Sequence, residues 1–192
     1  ENGDGSGAKE ITPSNTTTIT TARIGTASAN FTASTSANLT APDHAGWYQA
    51  GDFTYDFWIY YPTLPVDGNY RALFQKTDGN NELSLMLARD TAKYYMYLSI
   101  YTSGAQKVTT YDEFVPSAAT WYHVAFVHSG TSYITYFNGT RLNTTVDSDN
   151  PINLSGTVYI GNHATSAQAF PGYIDHFRFS NVARWTGATY TP

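Results

Sequence analysis

Hydrophobic and polar residues alternate in short runs along nearly the whole chain, and Gly, Pro, Asn, Asp and Ser punctuate the runs. Successive side chains of an extended strand point to opposite faces, so this period of two predicts half-buried β-strands. The runs are "SANFTA", "ANLTAP", "FTYDFWIYYP", "RALFQK", "ELSLMLA", "YYMYLSIYT", "QKVTTYD", "WYHVAFVHSG", "SYITYFNGTRL", "GTVYIGN" and "GYIDHFRFS". Asn138-Gly139 reads as a two-residue type I′ hairpin turn, which joins antiparallel neighbours. Strands this frequent predict an all-β antiparallel sandwich of two sheets and exclude a βαβ arrangement. No long amphipathic helix is predicted. The one helical candidate is a single turn at "SNVARW", with Ser180 as its cap. Residues 1–22, rich in Gly, Ser, Thr and Asn, read as an arm that partly pairs with the sandwich through a strand around Thr16 to Thr21. Residues 23–192 form the domain itself.

Composition narrows the class. A chain of 192 residues fits one domain with a sizeable core, and without cysteine it has no disulfide, thiolate zinc site or cysteine nucleophile. Sixteen tyrosines and only 13% charged residues describe a β-rich surface suited to an extracellular setting. A net charge of −5 with ten scattered Lys and Arg offers no basic stripe, so nucleic acid and anionic membrane are poor partners. No apolar run is long enough to span a bilayer. The opening "ENGDGSG" lacks an initiator Met and a signal sequence, and reads as the start of a trimmed or processed piece.

Three segments in this order carry a family likeness: "GDFTYDFWIYYP", "WYHVAFVHSGTSYITYFNGTRL", and "YIGN" followed by "GYIDHFRFSNVARWTG". They resemble the laminin-G-like, concanavalin A-like jelly-roll family, with its FTxxFWxY strand, WxHVA strand, Tyr-x-Asn-Gly hairpin and final Gly-x-Ile-Asp strand running into Ser-x-x-Ala-Arg. The likeness covers roughly residues 22 to 187. With "NVARWTG" near the end, the wording is most similar to copies on bacteriophage virion proteins, in tail fibres and capsid decorations, and secreted bacterial proteins carry similar ones. The resemblance implies two packed antiparallel sheets, an extracellular or virion-surface location, and a glycan or protein ligand. His176 stands where the family usually has Glu.

Glycoside hydrolysis needs two carboxylates flanking one bond. The chain lacks the Glu-x-Asp-x-Glu strand of jelly-roll glucanases, and Asp112 and Glu113 alternate faces, so no catalytic residues are assigned and the protein is read as a non-enzyme. His123 and His128 fall on opposite faces of one strand and read as hydrogen-bonded strand histidines. In "KYYMYLSIY", Met96, Leu98 and Ile100 share one face while Tyr95, Tyr97 and Tyr101 share the other. Trp58 and Tyr60 alternate likewise with Phe57 and Ile59, so neighbouring strands are expected to build an aromatic platform for sugar rings, with Trp47, Tyr48, His163 and Trp185 at its rim. The same platform would equally serve as an assembly contact with neighbouring virion or extracellular subunits.

Asp175 is expected on the face of Phe177 and Phe179, the core side, where a carboxylate needs hydrogen-bond donors or a cation. The family likeness implies a structural Ca²⁺ tying the N-terminal segment to the last strands, with Asp175 and Asp4 as ligands; backbone N–H groups or Arg178 are the alternative partners. Asn15, Asn30, Asn38, Asn138, Asn143 and Asn153 begin Asn-x-Ser/Thr triplets, and are expected to be mostly bare.

Overall fold

The computed structural model describes residues 10–32, 34–66, 68–165 and 168–192. Strand-forming runs pair as the alternation requires, giving β1 (Thr12–Ser14), β2 (Thr17–Ile19), β3 (Ser28–Asn30), β4 (Asn38–Ala41), β5 (Phe53–Tyr60), β6 (Tyr70–Asp78) and β7 (Asn81–Asp90). The second half supplies β8 (Lys93–Thr102), β9 (Ala105–Phe114), β10 (Trp121–Ser129), β11 (Ser132–Phe137), β12 (Thr140–Val146), β13 (Val158–Ile160) and β14 (Tyr173–Ser180). One seven-stranded sheet has the order β1-β4-β13-β6-β7-β8-β9 and the other β12-β11-β10-β5-β14-β3-β2, with antiparallel pairing throughout. This is the two-sheet jelly-roll sandwich.

The segment read as an arm serves both sheets: β1 edges the first and β2 the second, so residues 12–19 cross from one to the other. Asn138 and Gly139 both have positive φ, 51° and 80°, as a type I′ turn demands. The helical turn lies elsewhere than expected. Ala45–Trp47 is a 3₁₀ turn capped by His44, whose Nδ1 accepts the Gly46 N–H. Ser180 instead closes β14, and the Arg184 N–H goes to the Thr54 hydroxyl at 3.0 Å.

Between the sheets, Phe53, Tyr55, Phe57 and Ile59 of β5 meet Leu83, Leu85 and Leu87 of β7 and Met96, Leu98 and Ile100 of β8, all buried. Each such side chain contributes roughly 1.5–3 kcal/mol by leaving water. A bulge between Ala72 and Phe74 resets the phase of β6, so Lys76 points inward and is wholly buried. Its Nζ reaches Asp43 Oδ1 at 2.7 Å, which supplies the partner that a buried ammonium requires.

A second, smaller core lies outside the sandwich. Ala125, Val127, Ile134 and Tyr136 on the outer face of the second sheet are covered by Ala183, Trp185 and Tyr190. The covering segment is pinned by hydrogen bonds: Thr54 donates to the Val182 carbonyl, Tyr136 to the Gly187 carbonyl, and the Tyr190 N–H to the Gly139 carbonyl. One outer face is therefore layered over while the outer face of the first sheet carries the tyrosines.

Candidate functional site

Strand β8 sends Met96, Leu98 and Ile100 into the core and holds Tyr95, Tyr97 and Tyr101 half-buried on the outside, as its alternation predicts. Strand pairing then decides their neighbours. Tyr97 lies between Met86 and Tyr111, Tyr95 between Ala88 and Glu113, and Tyr101 between Glu82 and Gln106. Tyr95 stacks on Tyr111 with centroids 4.2 Å apart, Tyr97 meets Tyr111 edge-on at 6.0 Å, and Tyr70 meets Tyr97 edge-on at 5.6 Å. Gln106 donates to the Tyr97 hydroxyl at 2.8 Å and so fixes the phenol's direction.

At one end of this stripe Tyr70, Tyr97 and Tyr101 enclose a pocket of about 450 Å³ with Glu82, His163 and Gln168. His163 arrives from the loop after β13. Its Nε2 lies 2.7 Å from Gln75 Nε2 and 3.6 Å from Glu82 Oε1, and the Gln75 side-chain Oε1 accepts the Ala164 N–H. Ser84 donates to Glu82. Burial raises the Glu82 carboxyl, but contacts with His163, Ser84 and Gln75 more than offset this and leave it below the ordinary glutamate range. The pocket thus combines aromatic faces with a fixed anionic acceptor.

The structure separates the rest of the expected platform. Trp58 and Tyr60 lie on β5 in the opposite sheet and face away from the tyrosine stripe, because the alternate residues Phe53, Tyr55, Phe57 and Ile59 of that strand face the core. Trp58 is buried beneath the Arg23 guanidinium, 4.3 Å from its ring, and Tyr60 stacks on Tyr173 at 5.2 Å. Trp185 stacks on Tyr190 at 3.8 Å in the outer layer. Trp47 is a core residue against Phe179, and Tyr48 is half exposed but does not line the tyrosine pocket. Sequence reasoning missed Tyr70, Glu82, Met86 and Tyr111, which only cross-strand register brings to β8.

Asp175 also stands differently. A bulge between Asp175 and Arg178, with His176 at φ 49°, inserts an extra residue in β14, so Ile174, Phe177 and Phe179 pack on the core and Asp175 pairs opposite Trp58 on the outer side. Its Oδ2 accepts the backbone N–H groups of Arg23 at 2.7 Å and Ile24 at 2.9 Å. Arg178 goes instead to Asp56. Asp4 lies outside the described residues, and among the described residues no three His, Cys, Asp or Glu side chains gather as a metal site. Two backbone N–H donors on Oδ2 supply the hydrogen-bond partners that this carboxylate needs.

His128 is buried with Nδ1 2.9 Å from the Gly51 carbonyl oxygen, and His123 is buried on the other face of β10. His123 joins a polar cluster roofed by the outer layer: Nε2 is 3.3 Å from Asp56 Oδ1 and Nδ1 is 2.7 Å from the Tyr190 hydroxyl. Burial raises the Tyr190 phenol well above its ordinary value, aided by the nearby Asp56 charge.

No curated protein matches the chain. Among solved structures, it is similar to domain 4 of AbnA, a GH43 extracellular arabinanase from Geobacillus stearothermophilus, in complex with arabinotriose. That match has TM-score 0.71 at 18% identity and covers 94% of this chain and 86% of that one. The heptameric SAP-like pentraxin from Limulus polyphemus matches with TM-score 0.55 at 18% identity, over 71% and 67% of the two chains. The binding domain of Paraclostridial Mosquitocidal Protein 1 matches with TM-score 0.69 at 12% identity; the match takes in 91% of this chain but only 44% of that domain. No helix among the described residues is long and apolar enough to cross a membrane, which leaves strand-built spans untouched. Residues 31–186 match the family model described as the concanavalin A-like lectin/glucanases superfamily, and the chain belongs to that family.

Proposed function

We propose that the chain is a non-catalytic carbohydrate-recognition module, displayed on an extracellular or virion surface, which holds saccharide at the tyrosine pocket of its first sheet. The observation that carries this reading is the convergence of Tyr70, Tyr97 and Tyr101 with Glu82 and His163 in one open pocket of about 450 Å³. Phenol faces suit the C–H faces of sugar rings, while Glu82, held ionised, accepts hydroxyl hydrogen bonds. Among the described residues Glu82 is the only carboxylate lining the pocket, and hydrolysis of a glycosidic bond by the usual route needs a second. The arabinanase domain that carries arabinotriose adds a saccharide-binding precedent for the fold. The virion setting rests on the wording of the last strand. Titration with arabinotriose and a glycan array, using the protein and its Tyr97→Ala variant, tests the reading. Saturable binding that the variant loses while melting unchanged supports it; absence of binding even in a multivalent format leaves the stripe as a protein contact instead.

A further inference from the structure

The opposite outer face holds a second pocket, of about 370 Å³, lined by Arg23, Arg178 and Arg184 together with Trp58, Trp185 and Pro192. A chain of net charge −5 with ten Lys and Arg in all thus places three arginines around one cavity. Their charges are not all balanced. Arg178 is satisfied by Asp56, with Nη2 2.6 Å from Oδ1 and Nε 3.0 Å from Oδ2. Arg23 and Arg184 are exposed, and neither forms an ion pair with an acid among the described residues. The neighbouring Asp175 carboxylate accepts the Arg23 and Ile24 backbone N–H groups on Oδ2.

Both free guanidinium groups are nevertheless placed. Arg23 lies over the Trp58 ring at 4.3 Å and Arg184 near the Trp185 ring at 4.9 Å, and stacking leaves the N–H edges of each fork open to a planar anion. His176 and Thr191 also line the pocket and add polar groups, while the ring nitrogens of His123 are taken up by Asp56 and Tyr190. An aromatic shelf that orients two unpaired arginines lowers the entropy lost when they grip a ligand. The volume falls in the range of small-molecule sites, larger than a lone inorganic ion fills, and the indole and proline walls between the cations suit a sugar ring.

We infer that this pocket binds an acidic saccharide, with Arg23 and Arg184 clamping its carboxylate or sulfate. The site is independent of the tyrosine pocket, which lies across the sandwich on the other sheet.

The test titrates the ¹⁵N-labelled chain at constant ionic strength with tetragalacturonate, neutral galactotetraose, its sulfated form, and inorganic sulfate. Indole N–H signals of Trp58 and Trp185 report this pocket, and the Gln106 side-chain NH₂, which donates to the Tyr97 hydroxyl, reports the other, so failure at one site is distinct from failure at the other. The charged saccharides bind about tenfold or more tightly than the neutral one, and which of the two binds identifies the anion. Arg23→Gln with Arg184→Gln removes at least about tenfold of that affinity, and the corresponding double Lys variant loses less, since charge remains without the fork. A melting curve confirms that both variants fold. Equal binding of neutral and charged saccharides, an unaffected double Gln variant, or inorganic sulfate binding as tightly as the saccharides overturns the inference.

Discussion

Arg178 grips Asp56 with two parallel hydrogen bonds, 2.6 Å from Nη2 to Oδ1 and 3.0 Å from Nε to Oδ2, across neighbouring strands β14 and β5. Asp56 is wholly buried, whereas Arg178 is about a third exposed (34%). Burial raises the Asp56 carboxyl, but hydrogen bonds from His123 and Arg178 and their charges prevail and leave it below the ordinary aspartate value. A folded-state value below the unfolded one means that the stabilisation is complete above about pH 4 and is lost as pH falls through the folded value. Melting temperature measured from pH 7 to pH 2 should fall in that acid window. Asp56→Asn should flatten part of the fall and cost about 2–3 kcal/mol at pH 7, below the usual figure for a broken buried pair because water reaches Arg178.

Tyr97→Ala removes the phenol that both edges Tyr70 and accepts from Gln106. Saccharide affinity at the first sheet should drop roughly five- to twentyfold, the size of one aromatic contact, and the melting temperature should change little because the ring lies on the outer face, outside the core. Isothermal titration beside a thermal melt separates the two effects.

Gly139 has φ 80°, and a Cβ there would stand 2.3 Å from the Tyr190 carbonyl oxygen. Gly139→Ala should therefore cost at least 1–3 kcal/mol and lift the outer layer from the hairpin tip. Faster amide exchange at Tyr190 and Arg141, whose N–H groups bond to Gly139 and Ala188, is the expected signature.

Asp175→Ala would strand the Arg23 and Ile24 N–H groups, at about 1–3 kcal/mol. Because those donors already serve the carboxylate, the protein treated with EDTA should melt where the untreated protein does. A lower melting temperature on chelation, restored by added calcium, would instead place a cation beside Asp175 with Asp4 as a further ligand.

Much of the architecture was legible because alternation survives wherever a strand is regular: β8 and β9 have the faces that their residues predict. The errors fall where one residue breaks the phase. An extra residue at His176 moved Asp175 off the core side, with no Gly or Pro to mark the bulge. Trp47 looked like a rim residue because a three-residue 3₁₀ turn has no periodicity to show its buried side. The tyrosine stripe was readable from β8 alone, but Glu82 and Tyr70 joined it through register, and Trp58 left it because β5 and β8 belong to different sheets. Nothing periodic in "NVARWTGATY" announced that it would roof the second sheet.

The pairing order also sets an order of assembly. Strands β6, β7, β8 and β9 form a meander of consecutive neighbours within residues 70–114, whereas Tyr173 must find Asn30 and Asp175 must find Arg23 and Ile24 across most of the chain. Loop closure costs more for the distant pairs, so the meander should form early and the β3–β14 seam late. Pulse-labelled amide exchange should protect Leu98 before Ile174. The tyrosine stripe, carried on the meander, would then be in place before the arginine pocket, whose walls come from both ends of the chain and wait for the last seam to close.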